Sequence, residues 1–161
     1  MLFYKIIYHI NAIIKTLFFK IIYRKRFLVG EHFTFRKAFN VVIEGDGKIE
    51  IGSNCFFNNY CSLNSMAKIK IGNNCIFGEN VKIYDHNHRF NQKDKLIMHQ
   101  GYTMNPIEIG NNCWIGSNVV ILKGVKIGDN CVIGAGVIVK EDIESNTLVR
   151  EDGKSEPIKF K

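Results

Sequence analysis

The stretch of the chain that decides the fold is residues 109–144. Read in sixes from Ile109, it is IGNNCW, IGSNVV, ILKGVK, IGDNCV, IGAGVI and VKEDIE. The first residue of every unit is Ile or Val, and the fifth is Cys, Val or Ile. A period of six fits neither an α-helix nor one long strand, whose periods are 3.6 and 2. It is typical of a coil of short strands joined by tight turns, with the first and fifth residues pointing inward.

An earlier block follows the same rule. From Ile51 it reads IGSNCF, FNNYCS and LNSMAK, and after two extra residues it resumes at Ile71 as IGNNCI, FGENVK and IYDHNH. Gly and Asn cluster at the turns, where they adopt a positive φ at low cost. Stacked coils pair their strands in parallel and place like residues over like. The sequence therefore predicts an all-β chain, with a parallel β-helix over residues 31–145 and a tail over 146–161.

Five cysteines occupy the fifth, inward position of their repeats. No C-x-x-C pair is present, so neither a zinc ribbon nor a redox motif is indicated. We expect reduced, buried thiols that fill space, which favours a reducing compartment, the cytoplasm, and argues against a cysteine nucleophile. These cysteines are Cys55, Cys61, Cys75, Cys113 and Cys131.

Residues 1–30 are predicted to contain an amphipathic helix. Apolar residues from Phe3 to Ile22 recur at spacings of three and four, and a basic run, Arg24–Arg26, closes the stripe. Charges within the stripe argue against a signal peptide, and no stretch of about 18 residues is free of charge, as a membrane span requires. Two interpretations stay open: the stripe packs on protein, or it makes peripheral contact with an anionic membrane.

The net charge of +7 favours anionic partners such as nucleic acid, acidic lipid headgroups or a phosphorylated cofactor. The positive charge is concentrated in the first 40 residues, and the repeat offers no basic groove studded with aromatic residues. Nucleic acid is therefore not an expected partner.

The repeat is interrupted by a loop over residues 89–106, directly after the run Asp85–His88 (DHNH). A long loop that protrudes from a regular scaffold tends to carry function. Histidine titrates near working pH, so it is suited to take a proton from a hydroxyl group that attacks an acyl donor.

The residues on both sides of this loop resemble a known family. The runs 80–88 (NVKIYDHNH) and 106–118 (PIEIGNNCWIGSN) are similar to the galactoside and maltose acetyltransferase branch of the hexapeptide-repeat acyltransferases. They are also similar to sugar O-acetyltransferases of polysaccharide gene clusters. The resemblance implies left-handed winding and a homotrimer with active sites between subunits. It also implies direct acetyl transfer from acetyl-CoA, without a metal, to a sugar hydroxyl. The basic N-terminal helix favours work near a membrane, where lipid-linked glycans are assembled, and hence a surface polysaccharide precursor as the acceptor.

On the acceptor side, the resemblance assigns His88 and Asn59, and the neighbouring Asp85 and His86 are further candidates. The family's general base lies eight residues after the Asn of an Asn-Val pair, which is His88 here, with His86 as the less favoured choice. Asn59 matches an acceptor-binding asparagine. Asp85 and His86 are expected beside the acceptor, and Asp85 is also a candidate to orient a histidine through its second ring nitrogen.

On the donor side, the resemblance assigns Trp114 to the neighbourhood of the CoA arm and Ser117 to the thioester oxygen. Ala135 matches a small residue whose backbone contacts pantetheine. Lys140 stands where relatives carry Thr-Lys-Asp, and it is the expected cofactor contact after the last coil. The tail lacks the family's Gly-x-Pro-Ala-Lys/Arg segment, so Arg150 and Lys154 are weak substitutes for holding the phosphates of CoA.

Other functions stay open at the level of sequence. The same scaffold also serves acetyltransferases that act on serine or on an amino sugar. His86, His88 and His99 provide three imidazoles for a zinc-dependent lyase in the style of carbonic anhydrase, although their spacing does not match that group. A solenoid without catalytic activity, serving as a binding scaffold, is the third alternative.

Overall fold

The computed structural model describes residues 2–159, with side chains from Ile7 onward. Three residues of the predicted helix and tail, Met1, Phe160 and Lys161, therefore lie outside the described residues. The side chains of residues 2–6, which belong to the predicted apolar stripe, lie outside them as well. The chain begins with helix α1, Leu2–Tyr23, and a 3₁₀ turn, Arg24–Arg26. Up to Lys159, the last residue described, nineteen short strands follow, with one further 3₁₀ turn, Ile97–His99, among them. In chain order the strands are β1 (Phe27–Val29), β2 (Thr34–Phe35), β3 (Asn40–Ile43), β4 (Lys48–Ile51), β5 (Phe56–Phe57), β6 (Ser62–Ser65), β7 (Lys68–Ile71), β8 (Ile76–Phe77), β9 (Lys82–Tyr84), β10 (His86–His88), β11 (Tyr102–Met104), β12 (Ile107–Ile109), β13 (Trp114–Ile115), β14 (Val120–Ile121), β15 (Lys126–Ile127), β16 (Val132–Ile133), β17 (Ile138–Val139), β18 (Thr147–Val149) and β19 (Ser155–Pro157).

The strands form the three walls of a prism. Sheet A has the order β1-β4-β7-β12-β15, sheet B β19-β18-β16-β13-β8-β5-β2, and sheet C β17-β14-β9-β6-β3. The chain visits A, B and C in turn through about six coils, and every pairing between successive coils is parallel. The predicted parallel β-helix is confirmed. The turns from sheet A to sheet B form the A–B edge of the prism, and the other two edges are named B–C and C–A in the same way.

The β-helix is longer at both ends than the expected residues 31–145. Its first strand begins at Phe27, and its last parallel strand ends at Val149. The outer ends of the first and last coils fell outside the predicted range because they lack the recurring Ile-Gly pair. In the first coil, His32 and Ala38 occupy the left-handed turn positions that Asn holds in most later coils.

Two positions of the repeat make the turns, for different reasons. The fourth residue has a positive φ, as in Asn54, Asn112 and Asn130, which agrees with the expectation for Asn. The glycines at the second position of the repeat do not have a positive φ, contrary to our expectation. Gly110 is needed because a Cβ there would lie 2.7 Å from the backbone of Gly128 in the next coil.

The interior of the prism holds the predicted apolar columns. All five cysteines are buried and free, as expected. Each thiol donates to a backbone carbonyl of the next coil, for example from Cys75 Sγ to Gly110 O at 3.2 Å. Burial raises the pKa of Cys61 to about 11, so that thiol stays protonated and unreactive at neutral pH.

Helix α1 closes the N-terminal end of the prism. The ring of Phe19 meets that of Phe27 edge-on, with 5.5 Å between centroids. Lys15 Nζ donates to the carbonyl of Phe39, and Tyr23 Oη donates to Val41 O at 3.1 Å, so the helix satisfies carbonyls of the first coil. One face of the helix therefore packs on protein. Among the described residues, no helix is long and apolar enough to span a membrane.

The close approach at Gly110 leads to a stability prediction. Gly110→Ala places a methyl group against the backbone of Gly128 and lowers the free energy of unfolding by about 3 kcal/mol. Gly136→Ala is the matched control: its φ is +78° and nothing lies within 4 Å of an added Cβ, so only left-handed strain of about 1 kcal/mol is expected. Urea unfolding of the two variants and wild type measures the difference. Equal losses would mean that coil spacing does not select glycine here.

Candidate active site

The interruption of the repeat is an ordered hairpin on the C–A edge. Strand β10 pairs with β11 in an antiparallel register, with His88 opposite Tyr102 and His86 opposite Met104. At its tip, the buried Gln100 side chain donates to Lys95 O at 2.7 Å and accepts from the backbone N–H of Gln92 at 3.0 Å. Hydrogen bonds from one buried side chain to the backbone therefore stabilise the tip of the hairpin.

Asp85 anchors the base of this hairpin and is fully buried. Its carboxylate accepts hydrogen bonds from the backbone N–H groups of Met66 and Ala67, at 2.8 and 2.9 Å, and from Ser65 Oγ at 2.7 Å. His86 Nδ1 lies 3.0 Å from Asp85 Oδ1, and that nitrogen donates because a carboxylate only accepts. The expectation that Asp85 contacts the acceptor is wrong, since none of its surface is exposed. Its other expected role, orienting a histidine, fits His86.

The two histidines of the DHNH run have different environments. Being two apart on a strand, His86 and His88 point to the same side of the hairpin, and both contact the Tyr102 ring, at centroid distances of 5.5 and 4.5 Å. The His86 side chain is held by Asp85 and only 18% exposed. His88 is exposed, and its ring makes no hydrogen bond to another described residue. Its ring nitrogens are therefore free for a ligand.

His88 opens onto a cleft of about 620 Å³ beside the hairpin. The polar lining includes Gln92 and Thr103 from the hairpin and Lys123 from the next coil. Sequence reasoning missed Lys123. The sequence signal for it was its position in the first C–A turn that follows the hairpin along the chain. An amine at this position suits an anionic ligand.

The residues expected to bind the acceptor and the thioester stand on the B–C edge instead. Asn59, Glu79, Ser117 and Ala135 are third residues of successive turns and form a column along this edge. Asn59 Oδ1 accepts from the N–H of Lys37 at 3.2 Å, and its Nδ2 donates to Glu79 Oε1 at 2.8 Å. Asn59 is thus hydrogen-bonded to the coils on both sides of it.

Ser117 is a further member of this column, and its hydroxyl donates to no residue that the structure describes. Its Oγ accepts from the backbone N–H of Glu79 at 3.1 Å, which leaves its own O–H to donate elsewhere. Ala135 stacks one coil beyond it, with its backbone N 2.7 Å from where a Cβ on Gly116 would stand. The small, exposed side chain of Ala135 leaves its backbone accessible.

Trp114 lies on the outer face of sheet B and is 54% exposed. Ile76 and Val132 flank it in the neighbouring coils, and Ile158 of the tail reaches the same groove. A large exposed ring at this position is not required by the repeat, which agrees with a binding role.

The remaining cofactor candidates lie elsewhere. Lys140 is exposed on the C–A edge, so it stands on a different edge from Ala135. In the tail, Arg150 pairs with Glu156, and Lys154 Nζ pairs with Asp152 at 2.8 Å. Both of these cations already have carboxylate partners, which weakens them as phosphate ligands.

The three histidines of the zinc alternative are not assembled into a ligand set. Within residues 2–159, no three His, Cys, Asp or Glu side chains are placed to hold a metal ion together. A lyase of the carbonic anhydrase type therefore gains no support from the geometry of this chain.

Comparison with known proteins decides the family. A family model described as bacterial transferase hexapeptide (six repeats) matches residues 106–141. The crystal structure of a maltose O-acetyltransferase from Clostridium difficile 630 is 35% identical, with a TM-score of 0.67, and the alignment covers 88% of this chain and 75% of that one. This chain belongs to the hexapeptide-repeat acyltransferase family.

Two other solved structures of hexapeptide-repeat acyltransferases are similar. A galactoside acetyltransferase in complex with coenzyme A is 33% identical at a TM-score of 0.70, over 83% of this chain and 64% of that chain. A hexapeptide-repeat acetyltransferase from Vibrio cholerae O1 biovar eltor, complexed with acetyl coenzyme A, is 28% identical at a TM-score of 0.71, over 84% and 72%. No match was found among the curated proteins. The predicted resemblance is confirmed, and the acyltransferase class with it.

The buried carboxylate of this acyltransferase gives a second prediction. Asp85→Asn replaces one acceptor oxygen by an NH₂ group that faces hydrogen-bond donors, and we expect a loss of about 2–3 kcal/mol in the free energy of unfolding. Asp94→Asn, an exposed carboxylate on the same hairpin, is expected to change it by less than about 0.5 kcal/mol. Urea unfolding compares the two. A loss at Asp85 no greater than at Asp94 would contradict the structural role.

Proposed function

We propose that this protein transfers an acetyl group from acetyl-CoA to a hydroxyl group of a sugar. The observation that carries the proposal is the exposed, unpartnered His88 at the mouth of a polar cleft, on a fold shared with a maltose O-acetyltransferase at 35% identity. The complexes of two relatives with acetyl coenzyme A and coenzyme A support the choice of donor.

In the proposed reaction, His88 acts as the general base. The imidazole takes the proton of the sugar hydroxyl as its oxygen attacks the thioester carbonyl carbon. The new carbon–oxygen ester bond forms, the carbon–sulfur bond breaks, and the proton passes from the imidazolium to the departing thiolate. The acetyl group is thereby moved intact, and the products are the sugar ester and free CoA thiol.

Ser117 is proposed to stabilise the charge that develops on the thioester oxygen. Its hydroxyl proton is free because its oxygen is only an acceptor within the scaffold, and the acceptor contact with Glu79 N–H fixes its position. A donor held in place before the reaction is effective because it needs no reorganisation. Trp114 and the accessible backbone of Ala135 are proposed to line the CoA arm, and Asn59 to contact the acceptor.

The proposed site needs more than one chain. His88 stands on the C–A edge, whereas Asn59, Ser117 and Ala135 form a column on the B–C edge. In a single protomer these two edges bound opposite sides of sheet C. A homotrimer that places the hairpin of one subunit against the B–C edge of its neighbour brings both sets together, as the family resemblance implies.

We place the protein in the cytoplasm, acting on a precursor of a surface polysaccharide, such as a lipid-linked glycan. Five buried, unpaired thiols fit a reducing compartment. Two of the similar acetyltransferases are named for a sugar acceptor.

The turnover experiment measures CoA thiol release from acetyl-CoA across a panel of sugars and nucleotide sugars. We expect sugar-dependent release, and a fall in kcat of about 10²–10⁴-fold in His88→Ala because the general base is lost. His86→Ala is the matched control, expected to lose much less because the His86 side chain is only 18% exposed, whereas His88 is exposed and lines the cleft.

The outcomes separate the hypotheses. An equal loss in both variants would show that the choice of His88 is wrong while leaving acetyl transfer intact. No CoA release with any acceptor, together with no CoA binding by calorimetry, would overturn the proposed function.

The shared site gives a complementation test. Chains of His88→Ala and of Ser117→Ala, each nearly inactive alone, are co-expressed with different affinity tags and mixed trimers are isolated. If a site takes these residues from two neighbouring chains, each mixed trimer regains one of its three sites, so about a third of the sites are restored. Activity no higher than the mean of the two parent variants would contradict a site between subunits.

A further inference from the structure

Helix α1 carries a second apolar face that no described part of the chain covers. Ile13, Ile14 and Leu17 are each more than half exposed, and the face continues through both neighbouring turns. Eight large side chains belong to it: Ile7, Ile10, Ile13, Ile14, Leu17, Phe18, Ile21 and Ile22. We call this set the outer face. Folded proteins rarely leave so continuous an apolar surface in water without a partner.

The outer face is separate from the packing that holds the helix on the β-helix. Ala12 and Phe19 are buried in the core, and Phe19 contacts the rings of Phe27 and Phe39. Since these anchors lie on the opposite side of the helix, the outer face looks away from the coils. It forms the surface of the N-terminal end of the molecule.

Positive charge is concentrated at this end. Residues 1–40 carry eight Lys and Arg and one Glu, whereas residues 41–161 carry fourteen of each sign. The whole net charge of +7 therefore belongs to the helix and the first coil. Lys20, Arg24 and Lys25 are exposed beside the outer face, and among the described residues none of them pairs with a carboxylate.

We propose that α1 binds the surface of an anionic lipid bilayer, lying in the headgroup region with its outer face buried. An apolar helix face bordered by exposed Lys and Arg matches both parts of such a surface, the acyl chains and the negative headgroups. A second copy of the chain is a poorer occupant, because two such faces would bring like charges together. The helix caps one end of the prism, so the coils and the hairpin extend away from the lipid.

Binding is measured by flotation of the purified full-length protein with vesicles of phosphatidylcholine alone or mixed with phosphatidylglycerol. We expect binding to the mixed vesicles that weakens with added salt, and little binding to phosphatidylcholine. Ile13→Ser with Phe18→Ser is expected to lower the partition coefficient at least about tenfold. Ile138→Ser is the matched control, since Ile138 on sheet C is 61% exposed and Ile13 is 62% exposed.

A second variant tests the charge without touching the apolar face. Lys20→Gln with Lys25→Gln is expected to lower binding to the mixed vesicles about fivefold for each substitution. Circular dichroism and the mass of the assembly in solution are followed for every variant. Wild-type protein that floats with neither vesicle, or helix variants that bind as wild type does, would overturn the proposal. So would an outer-face variant that changes the assembly mass but not vesicle binding, which would make the occupant a second copy.

Discussion

The distance between successive coils is the constraint on which the rest of the structure depends. Parallel hydrogen bonds in three sheets draw the coils so close that a Cβ at Gly52, Gly72 or Gly110 would overlap the backbone of the next coil. The same spacing lets the side chain at the third position of a repeat accept a hydrogen bond from a backbone N–H of the preceding coil. Asn73 Oδ1 accepts from Ser53 N and Asn111 Oδ1 accepts from Asn73 N, both at 2.8 Å. Every outward side chain therefore belongs to a column whose position is set by its place in the repeat.

An insertion into such a regular solenoid is tolerated only where the strand pairing before and after it keeps the same register. At the C–A edge this is achieved by Asp85 and Asn105. The Asp85 carboxylate satisfies two N–H groups of the preceding coil, and Asn105 N donates to Asp85 O at 2.9 Å as the hairpin closes. Strand β12 then resumes its pairing with β7. The hairpin is thus an addition to an intact solenoid, and its base is rigid where the histidines begin.

Periodicity in the sequence predicted the repeating part of the structure and failed where tertiary contacts decide. Six-residue spacing was enough to predict the coils and the burial of all five thiols, because one face of each strand repeats. Asp85 was expected beside the acceptor because a run of four polar residues does not reveal which one turns inward. Lys123 was missed because only the folded hairpin brings it beside His88. The two interpretations of α1 stayed open because both of its faces are apolar, and packing uses only one of them.

The two histidines illustrate how a fixed scaffold divides structural from chemical work. A base that takes a proton from a substrate needs an unoccupied ring nitrogen at the surface that the substrate reaches. Both histidines keep a ring nitrogen that no described residue occupies, but His88 lines the cleft, whereas the His86 side chain is held by Asp85 and only 18% exposed. His88 has only the ring of Tyr102 beside it. On our proposal, the orientation that His88 lacks within its own chain comes from the neighbouring subunit and the bound sugar. The hairpin would then carry a base that becomes positioned only when the trimer and the acceptor are both present.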